Sequence, residues 1–503
     1  MALTEPAAAE AAAQKTPQST PDLMPDPMPE LMPELMPETV PETAPEITPH
    51  VPQQGSRLPG PGATGGVGGP GRSLSPDGIL RRQAQRESAA RTYARSLPIV
   101  PVRARGLTIE GADGRRYLDC LSGAGTLALG HNHPVVLEAI RGVLDSGAPL
   151  HVLDLATPVK DAFTTELFAN LPPQLAADAR IQFCGPAGTD AVEAALKLVR
   201  TATGRSGLLA FTGAYHGMTA GALDASGGAP DVRVTRLPYP QDHRCPFGVG
   251  GPEGAELGAR WAENLLDDPK GGVPAPAGLI VEPVQGEGGV LPAPDAWLRR
   301  MREITEARGI PMIADEVQTG VGRTGAFWGV DHAGVVPDVM VLSKAIGGSL
   351  PLAVIVYRAG LDVWTPGAHA GTFRGNQLAM AAGAATLAFV RENRLAERAA
   401  ALGERMLTAL RGLASAQSCI GDVRGRGLMI GIELIDPDTG AAAPALAAAV
   451  RQECLDRGLI IELGGRHNAV VRLLPPLTLT DEQAAAVLDR LADAIPAAAR
   501  RPH

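Results

Sequence analysis

Two apolar runs in the chain each end on a residue able to do chemistry. IPMIADEVQTGVGRTG sets Asp315 after PMIA, and DVMVLSKAIGG sets Lys344 after VMVLS, 29 residues further on. An amine at the end of an apolar strand loses solvation, which lowers its pKa and makes it a usable nucleophile towards an aldehyde. A carboxylate on the neighbouring strand can pair with a protonated pyridine nitrogen and hold the charge that makes such a ring an electron sink. Gln318 follows three residues after Asp315, within reach of a ring hydroxyl. Alone, the lysine is also readable as a surface loop residue and the aspartate as a helix cap. The set is what points to function.

A phosphate site stands upstream in FCGPAGTDAVEAALKLVR, an apolar run followed by small residues and then a helical pattern. The free N–H groups of a helix N-terminus bind phosphate. Thr189 or Asp190 would cap this helix, with Glu193 completing a capping box if Asp190 is the cap. Small residues before a helix are also ordinary turn chemistry. FTGAYHG adds Tyr215 at a strand-to-loop junction, where its ring could stack on a flat heterocycle or simply join the core. Aldehyde, pyridine and phosphate together describe pyridoxal phosphate.

The elements needed to position these groups are visible from about residue 98. Short continuous apolar runs (RIQFCG, GLLAFTG, GLIVEPV, IPMIADE, DVMVLSK) alternate with helical stretches such as DAWLRRMREITEARG. That is a β/α alternation, and unbroken apolar strands suit a mostly parallel sheet covered on both faces. Functional groups then belong at the strands' C-terminal ends. We expect a large domain over 146–375 and a smaller α+β domain over 376–503. The 81–145 segment, with a hairpin-like LTIEGADGRRYLDCLSG, should join the smaller domain across the sequence gap.

The first 80 residues differ. From Pro21 to Pro49 a proline falls on every fourth residue, and GSRLPGPGATGGVGGPGRS follows. Proline removes a donor and Gly/Pro-rich chain has little apolar surface to offset its ordering entropy, so we read 1–80 as a disordered tail. A partner-binding polyproline segment is the sharper alternative. The tail also carries most of the charge: residues 1–50 hold nine acids and one lysine, −8 of the chain's −9. A nearly neutral body lacks the basic field expected for nucleic acid or an anionic membrane, and no run of about 18 apolar residues reads as a membrane span. Five cysteines (120, 184, 245, 419, 454) form no CxxC pair. With no secretion-signal pattern at the start, they suggest reduced thiols in the cytoplasm.

In order, the motifs GxGTD-helix, YHG, EPVQGEGG, ADEVQTGxGRTG, SKAIGG, GTF and RLLPPL resemble the class III (omega-amino) aminotransferases over nearly all of 98–495. The resemblance implies a pyridoxal-phosphate enzyme of fold type I, a homodimer with active sites at the subunit interface. It implies that Lys344 is the Schiff-base lysine and proton shuttle, Asp315 the pyridinium partner and Gln318 a ligand of the ring oxygen. Gly188 and Thr189 would form the phosphate cup, Tyr215 the stacking ring, and Thr372 in AGTFRGN a phosphate ligand donated by the other subunit. Glu287 and Arg472 resemble the family's glutamate–arginine switch. The arginine clamps an α-carboxylate bidentately, and the glutamate occupies it when the donor enters by its distal amine. Without the family, Arg472 reads as a surface strand residue. Glu282 would support the cofactor's hydroxyl region or the Glu287 loop.

Within the class, YHGMT has Met218 where several members carry arginine, which disfavours ornithine-type enzymes. YHGMT, SGAGTLALGHNHP, HVLDLATPVKDAF and FCGPAGTDAVEAALKLVRTATGR resemble the diaminobutyrate–2-oxoglutarate transaminases, whose substrates are an amine and a keto acid. Other omega-amino donors, an aminomutase or decarboxylase, and a non-catalytic interaction protein built on the tail are the rivals. His131 and His133 in GHNHP have an HxH spacing without a further ligand set nearby, so no metal is expected. Residues 122–133 and 150–155 are expected to line the substrate entrance.

Overall fold

The computed structural model describes residues 75–228 and 233–501. Most of the expected tail, residues 1–74, lies outside the described residues. Its last part does not: the chain is helical over Pro76–Arg86, because Ser75 caps the helix by accepting from the Gly78 N–H (3.3 Å) and Pro76 opens the first turn.

The centre is a seven-stranded sheet built from β1 (Ala179–Phe183), β2 (Leu208–Phe211), β3 (Val234–Leu237), β4 (Gly278–Val281), β5 (Met312–Asp315), β6 (Val339–Leu342) and β7 (Val354–Arg358). Their order is β1-β7-β6-β5-β4-β2-β3, and only β7 runs antiparallel to its neighbours. This is the α/β, mostly parallel architecture expected from the sequence. The runs LLAF, GLIV, MIAD and VMVL are buried at every residue, as strands covered on both faces must be. β5 and β6 pair in parallel with Asp315 opposite Val341, so the chain reaches Asp315 and Lys344 at adjacent carboxyl ends.

Helix α1 (Gly188–Thr203) follows β1 and buries Ala191, Val192, Ala194, Ala195, Leu196, Leu198 and Val199 against the sheet. It starts earlier than expected. Ala187 is the N-cap, Asp190 sits one turn in and accepts from the Ala187 N–H (3.0 Å), and Glu193 instead accepts from Gly221 and Ala222. The glycine-containing approach let the helix begin before the first capping side chain.

A four-stranded antiparallel sheet follows, formed by β8 (Ile420–Arg426), β9 (Met429–Leu434), β10 (Glu462–Gly464) and β11 (Val470–Leu473) in the order β8-β9-β11-β10. The hairpin of Thr108–Gly111 with Arg116–Asp119 extends to Leu459–Ile460, which pairs in parallel with Arg116–Asp119. The buried Arg323, just beyond β5, donates to the carbonyls of Leu428 and Pro475, tying the central sheet to the β8–β9 turn. No described helix is long and apolar enough to cross a membrane.

Candidate active site

Five strand ends converge on one cavity of about 270 Å³ lined by residues that include Gly188, Thr189, Tyr215, Asp315, Gln318 and Lys344. Lys344 opens a short 3-10 turn directly after β6 with φ +51, a left-handed conformation rarely adopted by a residue with a side chain. Such strain is retained where surrounding structure over-determines it, and functional sites are where it clusters. Burial lowers the Lys344 amine's pKa from 10.5, while the charges of Glu287 and Asp315 work the other way.

Asp315, at the end of β5, is buried; its Oδ1 accepts from the Val317 N–H (3.1 Å). Its Oδ2 lies 2.7 Å from Nδ1 of His216, a fully buried ring whose Nε2 has no hydrogen-bond partner. Burial works against the imidazolium, but the hydrogen bond and charge of Asp315, with Glu282 behind it, raise the His216 pKa above 6.5. His216 follows Tyr215 in the YHG motif, and that adjacency is its signal in the sequence. Val317, which also lines the cavity, stands unanticipated inside the same motif as Asp315.

Glu282 follows β4 and is buried beneath two backbone donors, Tyr215 N–H (2.9 Å) and Gly286 N–H (3.2 Å). It therefore braces both the Tyr215 loop and the loop leading to Glu287. Burial and the nearby Asp315 push its carboxyl up to about 7, against the pull of His216 and those N–H groups. Gln318 donates from Nε2 to the Ala124 carbonyl (3.2 Å), whereas its buried Oε1 has no partner.

At the far end, Thr189 Oγ1 and Thr219 Oγ1 are 2.6 Å apart beside the first turn of α1. Gly217 has φ +126, and a Cβ there would stand 2.4 Å from the Thr189 Cβ; one at Gly188 would stand 3.0 Å from Val317. These two glycines keep the helix N-terminus open to a ligand.

Arg472 is not a surface residue but fully buried on β11. Gly431 and Glu462 are its cross-strand neighbours, and a Cβ at Gly464 would come within 2.6 Å of its Nε, so small residues make room for the guanidinium. Both carboxylate oxygens of Glu287 lie 2.9 Å from Arg472 Nη2. A second acid, unanticipated, sits there too: Glu462 Oε2 is 2.7 Å from the same nitrogen. Tyr93 donates to Glu462 Oε1 (2.9 Å). The acid inside the apolar run LIIELGG was a readable signal; nothing marked Tyr93.

Thr372 is not brought to this cavity. It is exposed and lines a separate depression with Leu153, Asp154 and Arg374. Leu150, Leu153 and Leu155 are exposed on the surface, whereas Ala124 from the 122–133 loop lines the mouth above Lys344. His131 pairs with Asp119 at 2.7 Å and His133 packs on Phe389, so the HxH residues face different partners.

Residues 89–495 match the model of the family described as aminotransferase class-III. The chain belongs to the class III aminotransferases. Members of this class are pyridoxal-phosphate-dependent, and the partnerless Gln318 oxygen, the glycine-lined helix terminus and the Asp315–Lys344 pair fit that group. This class III aminotransferase is 53% identical over 437 residues to the diaminobutyrate–2-oxoglutarate aminotransferase of Rhizobium meliloti, covering 84% of this chain and 92% of that protein. It is 47% identical to the Haemophilus influenzae protein of the same name, covering 83% and 94%. Among solved structures it is similar to an amine transaminase from an uncultivated Pseudomonas species in the PLP-bound form. That similarity has a TM-score of 0.74 and 30% identity, covering 82% of this chain and 98% of that one.

Proposed function

We propose that the chain moves the 4-amino group of L-2,4-diaminobutyrate to 2-oxoglutarate, giving aspartate 4-semialdehyde and glutamate, or runs the reverse. The observation that carries this reading is the buried Arg472–Glu287 pair in reach of Lys344, and the names of the relatives above support the choice of donor. An arginine that accepts an α-carboxylate in one half-reaction would be left a bare buried cation in the other, unless a mobile acid returned to it. Glu287, about one-third exposed, is free to swing.

Pyridoxal phosphate, when bound, supplies an aldehyde that takes up the amine and a ring that accommodates the electron pair released at the neighbouring carbon. Gly188 and Thr189 would hold the phosphate at the α1 N-terminus. Asp315 would hold the ring N–H, and His216 keeps Asp315 oriented through the 2.7 Å contact to its Oδ2. Gln318 Oε1, which has no partner, would accept from the ring hydroxyl, and Tyr215 and Val317 on the cavity wall would pack on the ring. Lys344 Nζ, its proton affinity lowered by burial, would take the proton from the substrate carbon bearing the amine and deliver it across the nitrogen to the carbon that was the cofactor's aldehyde. Glu282 fixes the two loops carrying Tyr215 and Glu287.

The enzyme is a homodimer, with Thr372 reaching the phosphate of the second copy's site. Residues 81–145 and 376–503 form a small domain against a large domain of 146–375. The location is cytoplasmic, in keeping with five unpaired cysteines.

The test is an absorbance spectrum of the purified holoenzyme before and after L-2,4-diaminobutyrate is added without a keto acid. Conversion of the cofactor band by this amine, but not by ornithine or 4-aminobutyrate, supports the reading. An unmoved band overturns the donor assignment. Product formation without any 2-oxoglutarate would instead indicate an aminomutase or decarboxylase.

A further inference from the structure

The second acid on Arg472 has no place in a two-residue switch. Arg472 already faces Glu287, and Glu462 adds a further negative charge while nine-tenths buried. Its Oε2 meets no hydrogen-bond geometry with any group, although Oε1 is anchored by Tyr93. Arg472 is similarly incomplete, since Nε and Nη1 have no partners. Buried acids are kept where something cationic completes them. Glu462, Tyr93, Glu287 and Lys344 all line one cavity of about 890 Å³, which opens the Lys344 site outward. Besides Lys344, Arg451 is the cation on that wall.

We propose that Glu462, held by Tyr93, is the residue that selects donors carrying a second ammonium group, by accepting the amine that is not transferred. The inference rests on the donor class proposed above and deepens it. A donor entering by its terminal amine brings its α-ammonium and α-carboxylate into the outer cavity. Glu462 Oε2 takes the ammonium, and Arg451 gives the carboxylate a counter-charge. A monoamine such as 4-aminobutyrate has the same carbon skeleton without the second ammonium, so it leaves Glu462 Oε2 with only its ion pair to Arg472 and no aligned hydrogen bond. A site built around a polar partner rejects the analogue lacking it far better than an apolar pocket could.

The experiment compares wild type, Glu462→Gln, Glu462→Asp and Tyr93→Phe, all with cofactor bound. The donors are two matched pairs, diaminobutyrate with 4-aminobutyrate and ornithine with 5-aminopentanoate. The acceptor KM is measured separately. Removing one partner of a buried charge pair costs binding, so Glu462→Gln should raise KM for the diamino donor that wild type accepts about tenfold or more. Because Glu462 also touches Arg472, KM for the monoamine and for 2-oxoglutarate should change as well, but several-fold less than KM for the diamino donor. Glu462→Asp should restore part of the preference and Tyr93→Phe should lose part of it.

Equal losses on diamine and monoamine, or an equal loss on 2-oxoglutarate, would overturn the inference and leave Glu462 a support for Arg472. If wild type takes ornithine and not diaminobutyrate, the donor proposed above is wrong while the ornithine pair still tests Glu462. Wild type that accepts only monoamines overturns both.

Discussion

Asp315 has two oxygens in a buried place and each has one task besides the ligand: Oδ1 holds the Val317 N–H and Oδ2 holds His216. Replacing His216 with Ala leaves a buried carboxylate oxygen without a partner, a loss of about 1–3 kcal/mol. We expect kcat to fall roughly tenfold to a hundredfold, since each 1.4 kcal/mol is about a factor of ten. Steady-state rates with the cofactor band still present would show it; an unchanged kcat would make His216 a packing residue. Lys344 makes a pH prediction. Its pKa is lowered by folding, so between the folded value and 10.5 the unfolded chain binds the extra proton and stability rises with pH. Cofactor-free Lys344→Met protein, which has no such charge to bury, should therefore exceed wild type in Tm most at neutral pH. The gap should narrow as pH climbs towards 10.5. Thermal scans across pH check this, and a gap that widened would refute the assigned cause.

At the scale of elements, the α1 N-terminus depends on a loop from the next strand. Gly217→Ala would add a Cβ 2.4 Å from Thr189 Cβ at a φ of +126, so the first turn of α1 must shift. We expect cofactor affinity to fall about tenfold or more, comparable to the cost of about 1–3 kcal/mol for a strained residue. Titration of the cofactor-free enzyme with pyridoxal phosphate measures it. Five of the seven central strands are legible because buried strands write continuous apolar runs, and Lys344 and Asp315 close two of them, whereas Val234–Leu237 and the reversed Val354–Arg358 are not among those runs. The start of α1 is not legible from capping side chains, because the helix begins at Gly188, ahead of Thr189 and Asp190, with Ala187 as its N-cap. Arg472 is invisible to residue type alone: its burial comes from Gly431 and Gly464 beside it and from two acids, Glu462 on the neighbouring strand and Glu287 from a loop. Only the family resemblance pointed to it. Glu462 shows the converse, an acid in an apolar strand whose meaning required the pairing register.

For the whole molecule, the exposed position of Thr372, away from the cavity lined by Lys344, makes a mixing experiment decisive. Lys344→Ala chains and Thr372→Val chains should each be poorly active alone. In a two-fold dimer with exchanged Thr372, mixed dimers regain one complete site, restoring roughly a quarter of wild-type activity at equal mixing. No recovery in subunit-exchanged samples would count against the shared site. Arg323 tests the tie between the two sheets. Arg323→Met removes both donors to Leu428 and Pro475, and two carbonyls left without partners cost about 1–3 kcal/mol each. A drop in denaturation midpoint with normal activity at low temperature is the expected result.

The reversed strand β7 also governs how the chain must be made. β1 pairs with it, Phe183 against Val354, so the partner of β1 leaves the ribosome only about 170 residues later. At about 5–20 residues per second that wait is on the order of ten to thirty seconds. For that interval β1, an end strand whose one neighbour in the sheet is β7, has both edges unpaired, with Ile181 and Phe183 on them, and is a template for pairing with other chains.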